Sequence, residues 1–123
     1  MNALIPEMLG FDTVAALKLL NNNEKLYSSI LKRFRAQYAA SYTSLADTLI
    51  HSEDWPAIQR EAHTIKGLAG TIGHPGLQQA ALELELCVKE NSNIEAAAVR
   101  AKAKDFLEVF SVVLCQIGQA FDE

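Results

Sequence analysis

A chain of 123 residues, half of them hydrophobic and 21% charged, is long enough for one domain with one core and too apolar to stay disordered. Its net charge of −4, from 15 acidic and 11 basic residues without a basic cluster, argues against nucleic acid as a partner. No apolar run reaches the roughly 18–20 residues of a membrane helix, and the N-terminus lacks a basic segment followed by an apolar one. No membrane contact, no signal peptide and a cytoplasmic location are therefore expected.

Apolar residues recur at three- and four-residue steps almost throughout, and no stretch alternates as a strand would. Residues 1–10 read as a lead-in broken by Pro6 and Gly10. A short helix is predicted from an Asp12 cap to Leu20, ended by Asn21-Asn22-Asn23. A long second helix runs from about Asn23 to Ile50, with Leu26, Ile30, Phe34, Tyr38, Tyr42, Leu45 and Leu49 as its stripe. After a turn at residues 52–54, Pro56 suits the first turn of a third helix, whose apolar face is Ile58, Ala62, Ile65, Ala69 and Ile72. Gly73 closes that helix, and His74-Pro75 opens the fourth, with Leu77, Ala80, Ala81, Leu84, Cys87 and Val88 inward and Asn91 at its end. Ser92 and Glu95 have capping-box spacing for the last helix, which runs to about Ala120 through Ile94, Ala98, Ala101, Phe106, Val109, Val113 and Ile117.

Four substantial amphipathic helices with short connections predict an all-α, antiparallel four-helix bundle with an additional short N-terminal helix. Residues 1–123 read as a single domain, with residues 55–73 forming the helix that carries the chemistry. Cys87 and Cys115 lie in apolar helical patterns and read as buried thiols, with no CxxC spacing to suggest zinc. Trp55 and the Phe and Tyr residues at helical spacing read as core or core edge.

The third helix holds a feature that core packing does not explain. At ~100° per residue, His63 lies ~140° from the centre of the apolar stripe and should face water. Gln59, Lys66, Gly67 and Gly70 stand at −4, +3, +4 and +7 from it, on or beside the same strip. A helical glycine costs about 0.8–1 kcal/mol relative to Ala, yet Gly67 points almost directly away from the core. Bare backbone beside an exposed imidazole lets another protein come close to the ring. Neutral imidazole is a nucleophile at cytoplasmic pH. A phosphoryl group on it would bring nearly two negative charges, which Lys66, one turn away, can offset. By itself, a surface histidine followed by a lysine is an ordinary solvated face; the combination on one helix is the informative part.

The run Ala62-His63-Thr64-Ile65-Lys66-Gly67-Leu68-Ala69-Gly70-Thr71-Ile72-Gly73 resembles the phosphorylation motif of histidine-containing phosphotransfer (HPt) domains, A-H-x-[LI]-K-G-x-[AS]-x-x-[LI]-G. Leu77 matches an apolar position that often follows. Gly10-Phe11-Asp12 and the stretch from Leu26 to Phe34 are similar to the start of HPt domains at the C-termini of hybrid sensor histidine kinases. His74 departs from the small residue that many members carry.

The resemblance implies that His63 is the phosphoacceptor, Lys66 the phosphate-side cation and Gly67 the space left for a response regulator's receiver domain. Gly70 and, on geometry alone, Gln59 would join that partner-binding strip, with Gln78, Gln79 and Glu85 as possible rim contacts. The module would be a phosphocarrier without a kinase site, hold no cofactor or metal, leave Mg2+ to the partner receiver, and act as a monomer. The rivals are a non-catalytic helical interaction domain, a metal-binding helical bundle enzyme, and the phosphoacceptor domain of a chemotaxis-type kinase. A metal bundle should carry paired Glu-x-x-His motifs, which the sequence lacks. His63 and His74, about 16 Å apart along a helix, could not share one ion.

Overall fold

The computed structural model describes residues 5–89 and 94–121 and contains five helices: α1 (Thr13–Leu19), α2 (Glu24–His51), α3 (Trp55–Ile72), α4 (Pro75–Lys89) and α5 (Ala96–Ala120). α3 packs on α4, α4 on α5, α5 on α2, and α2 more sparsely on α3, which closes a four-helix ring. α1 lies against α2 and α3. No described helix is long and apolar enough to cross a membrane.

Local chemistry sets the boundaries of the helices. Asp12, Asn23 and Asp54 each accept a backbone N–H from three residues on, capping α1, α2 and α3. Asn21 and Asn22 take positive φ in the turn between α1 and α2. The predicted face of α3 is buried in full, from Ile58 to Ile72. In α2 and α5 the stripe differs from the predicted one. Tyr27 and Leu31 fill the first turns of the α2 face, and Leu26 is 44% exposed. Where Leu26 and Tyr27 compete for one inward position, the phenol wins because its hydroxyl also finds a carbonyl. In α5 the first turns bury Val99 and Ala103 while Ala98 and Ala101 face water, and the predicted Phe106, Val113 and Ile117 are buried further along. Glu95 is itself the N-cap and makes no side-chain cap bond, so it cannot serve the predicted capping box; Asn91 and Ser92 lie outside the described residues. Cys87 is half-buried and Cys115 exposed, contrary to the reading of both as core thiols.

The core is aromatic at the α2–α5 seam, where Phe110 stands edge-on to Phe34 and Tyr38 and stacks on Phe106. At the end of α3 the backbone is held from three sides. Gly73 takes the left-handed conformation, φ 77°, and its N–H reaches back to the carbonyls of Ala69 and Gly70. A Cβ there would sit 2.6 Å from the Asp12 carbonyl oxygen, so glycine is required by space as well as by φ. The Asp12 N–H donates to Gly73 O at 2.6 Å, and the Tyr27 hydroxyl donates to Ile72 O at 2.6 Å. His74 is buried; its Nδ1 accepts from the Leu77 N–H at 2.9 Å, and Phe11 packs edge-on against the ring. His74 is thus the N-terminal cap of α4, as its place before Pro75 predicted. These contacts fix where α3 ends, and hence which way its exposed face is turned.

Burial, with a smaller contribution from the nearby Asp12 charge, pushes the Tyr27 phenol up to about 12. Tyr27→Phe should lower stability by about 1–3 kcal/mol, because the buried Ile72 carbonyl loses its donor. An unfolded phenol ionises near 10. The folded state therefore retains its proton longer, and Tyr27's contribution declines as pH rises from about 10 to about 12. Urea unfolding of both proteins at about pH 8 and above pH 11 should show the gap between them narrowing; a gap that stays constant contradicts this account.

Candidate functional site

α3 turns Ala62 and Ile65 into the core and so turns His63 outward, with 67% of its side chain exposed. The ring is nonetheless anchored on one edge. His63 Nδ1 lies 2.7 Å from Glu85 Oε2, and Lys66 Nζ lies 2.7 Å from Glu85 Oε1. The carboxylate that joins them is only 3% exposed; Lys66, at 28%, is half-covered. Glu85 belongs to α4, beside the buried Leu84 and one turn beyond Ala81, and it faces α3 across the most extensive seam of the bundle. This revises its expected place. It is not a rim contact but the buried bridge beneath the histidine.

Burial pushes the Glu85 carboxyl up, but the hydrogen bonds from Lys66 and His63 and the attraction of their charges outweigh it and hold the group below its ordinary value. An ionised carboxylate can only accept. His63 Nδ1 must therefore carry the proton and donate it, which leaves the lone pair of the neutral ring on Nε2, the nitrogen turned away from α4. The arrangement is that of a nucleophilic or basic imidazole whose tautomer is set by an acid behind it.

The structure separates the two glycines that the sequence placed together. A Cβ on Gly67 would meet nothing within 4 Å, so that position is open, as expected. A Cβ on Gly70 would come within 2.9 Å of Gln78 Nε2 on α4, so Gly70 is half-buried at the helix–helix seam. Gln59 is half-buried and shares with His63 a cleft of about 400 Å3, also lined by Pro56, Arg60, Thr64, Glu85 and Lys89. Gln78 and Gln79 are exposed on α4, and His51 ends α2. Among the described residues, no three His, Cys, Asp or Glu side chains are grouped to hold a metal ion.

Residues 29–117, from the first turns of α2 to nearly the end of α5, match the family described as the Hpt domain. The chain belongs to the Hpt domain family. No curated protein and no solved structure matches it. Hpt domains are phosphocarrier modules that exchange phosphoryl groups through histidine in phosphorelays and interact with receiver domains. The matched span contains His63, Lys66, Gly67 and Glu85 and leaves α1 outside it. Within this Hpt domain, Glu85 is the residue that the sequence reading underrated. The available signal was an acidic residue at ~40° from Ala81 on the inward side of α4, a position that needs a cation on the facing helix, where Lys66 stands.

The tautomer can be tested directly. In 15N spectra near pH 8, His63 should show a protonated Nδ1 and a bare Nε2, and Glu85→Ala should release the ring to a mixture. A wild-type ring protonated on Nε2 would remove the assignment.

Proposed function

We propose that His63 accepts a phosphoryl group from the aspartate of one receiver domain and passes it to the aspartate of a response regulator. The observation that carries this reading is an exposed imidazole, backed by a buried carboxylate on Nδ1 and placed one turn from open backbone at Gly67.

The step balances without a base from this chain. The Nε2 lone pair attacks the phosphorus of an aspartyl phosphate, the N–P bond forms, the P–O bond to the aspartyl carbonyl breaks, and that electron pair leaves with the carboxylate. The ring then carries positive charge on Nδ1–H, and Glu85, 2.7 Å away, stabilises it. Because Nδ1 remains protonated, the ring can depart as neutral imidazole in the onward transfer. Lys66 has three N–H donors and gives one to Glu85, so the others remain for phosphoryl oxygens. Phosphoryl transfer depends mainly on positioning and charge stabilisation. The receiver supplies its aspartate and Mg2+, and this module holds no cofactor of its own.

Gly67 gives the receiver room to approach, with Gly70 and Gln59 at the edges of the contact. A monomer with a small, exchangeable interface suits a carrier that must meet two partners in turn. A cytoplasmic location follows from those partners.

Incubation with a receiver, Mg2+ and labelled acetyl phosphate should label wild-type protein and not His63→Gln; label on neither favours a purely structural interaction domain. Gly67→Gln should raise stability by about 0.5–1 kcal/mol, since the space is open and helix propensity improves, yet weaken receiver binding by roughly tenfold or more. Calorimetry and unfolding on the same samples check both halves, and unchanged affinity removes the role given to Gly67. Lys66→Ala should slow transfer and shorten the phosphohistidine lifetime. It should also cost about 1–3 kcal/mol of stability, because it leaves a buried carboxylate with a single partner. Transfer rates equal to wild type would remove the catalytic part of its role.

A further inference from the structure

Charge around His63 does not balance once a phosphoryl group is added. The Lys66 ammonium and the Glu85 carboxylate are in contact at 2.7 Å and together are neutral. Glu85 also lies 2.7 Å from the ring, so its negative charge opposes the incoming group. The positive charge that the ring gains on Nδ1–H offsets one of the nearly two negative charges on the phosphoryl group, and the remainder is left for cations outside this trio. The cleft beside His63 supplies two. Arg60, one turn before the histidine on α3, and Lys89, at the end of α4, both line it, and among the described residues Glu85 is the only acid that does. Both cations are exposed, and among the described residues neither has a salt bridge or a side-chain hydrogen bond that would hold it elsewhere. Helical side chains lean toward the N-terminus. In keeping with that lean, His63 shares the cleft with Gln59 and Arg60 of the preceding turn. About 400 Å3 is ample for a phosphoryl group.

We infer that Arg60, with Lys89 facing it across the cleft, is the anion clamp that holds the phosphoryl group once it is on His63. The inference rests on His63 being the phosphoacceptor and assigns Arg60 and Lys89 as positioning residues for it. Arg60 presents a planar fork that can take two phosphoryl oxygens together, and Lys89 acts as a mobile point charge. Lys66 is left the narrower task of holding Glu85 and touching the near oxygen.

The test uses the whole chain phosphorylated by potassium phosphoramidate, in which the donor P–N bond breaks, ammonia leaves and the new bond forms to His63 Nε2. The proteins compared are wild type, Arg60→Gln, Lys89→Gln, the double variant, and Lys104→Gln, which changes an exposed charge on α5. A 31P titration reads the last ionisation of the phosphoryl group. Removing both cations should raise that pKa by roughly 0.5–1 unit, each exposed pairing contributing a fraction. It should also lower by about 3- to 10-fold the equilibrium share of phosphoryl on His63 against a receiver charged with acetyl phosphate. About 1 M salt should erase both differences, which a mere loss of structure would not produce. Lys104→Gln should match wild type. If the double variant titrates like wild type while His63 is fully labelled, the clamp is wrong and the phosphoacceptor reading stands. If wild-type His63 takes no phosphoryl from either donor, both readings fall.

Discussion

A carboxylate held almost out of water between two helices is the constraint on which the site depends. Taking Glu85 out of solvent carries a desolvation penalty of several kcal/mol unless partners meet both oxygens, and the structure meets them with Lys66 on one side and His63 on the other. The same pairing therefore settles three things together. It fixes α3 against α4 at the level of the histidine, it selects the ring nitrogen that keeps its proton, and it holds Lys66 within a turn of the nucleophile. Because the two cationic or proton-bearing partners come from one helix and the acid from the next, a small slip of α3 along α4 would unpair the buried charge. The end of α3 is secured against such a slip by the Asp12 and Tyr27 bonds to the carbonyls of Gly73 and Ile72.

Three glycines in α3 and its cap answer to three different physical demands. Gly73 must adopt a left-handed φ beneath the Asp12 carbonyl, where a methyl group has no room. Gly70 lets the Gln78 amide lie against the helix at the α3–α4 seam, a contact that the flexible end of that side chain could adjust. Gly67 has no neighbour at all and still forgoes the helix propensity that almost any other residue would supply. Only this third case lacks an internal structural reason, which is why it speaks for a partner.

Much of this was legible in the sequence because it depends on helical periodicity. The outward turn of His63, the inward set of α3 and the capping roles of Asp12, Gly73 and His74 follow from spacing and from residue chemistry near helix ends. The misreadings arose where periodicity was ambiguous or where one side chain compensates another across helices. Leu26 and Tyr27 are adjacent and both apolar enough to face in, and a hydroxyl-to-carbonyl bond 45 residues away decided between them. In α5 a run of alanines gives the stripe little contrast, so its register was set by Val99 and Ala103 rather than by the alanines on either side. Glu85 was misplaced for the second reason: an acidic residue reads as surface until the lysine on the facing helix is known to reach it. Gly70 fell between the two, since one strip of a helix can border both solvent and a neighbour.

The buried acid also bears on why such a site suits a carrier rather than a sink. A negative charge beneath the ring favours the imidazolium that forms as the N–P bond is made, and the same charge disfavours the dianionic group that arrives with it. The two effects oppose one another across the width of a single ring, and the neutral Lys66–Glu85 pair adds no surplus of positive charge to make the phosphoryl group settle. A ring that keeps Nδ1 protonated is a good leaving group for the next transfer for the reason that made it a good nucleophile in the last. In the proposed clamp the balance is set from the periphery, by exposed cations whose contribution is modest and sensitive to salt. On the proposed reading, a module organised in this way holds its cargo firmly enough to survive the exchange of partners and weakly enough to release it to a receiver of similar affinity.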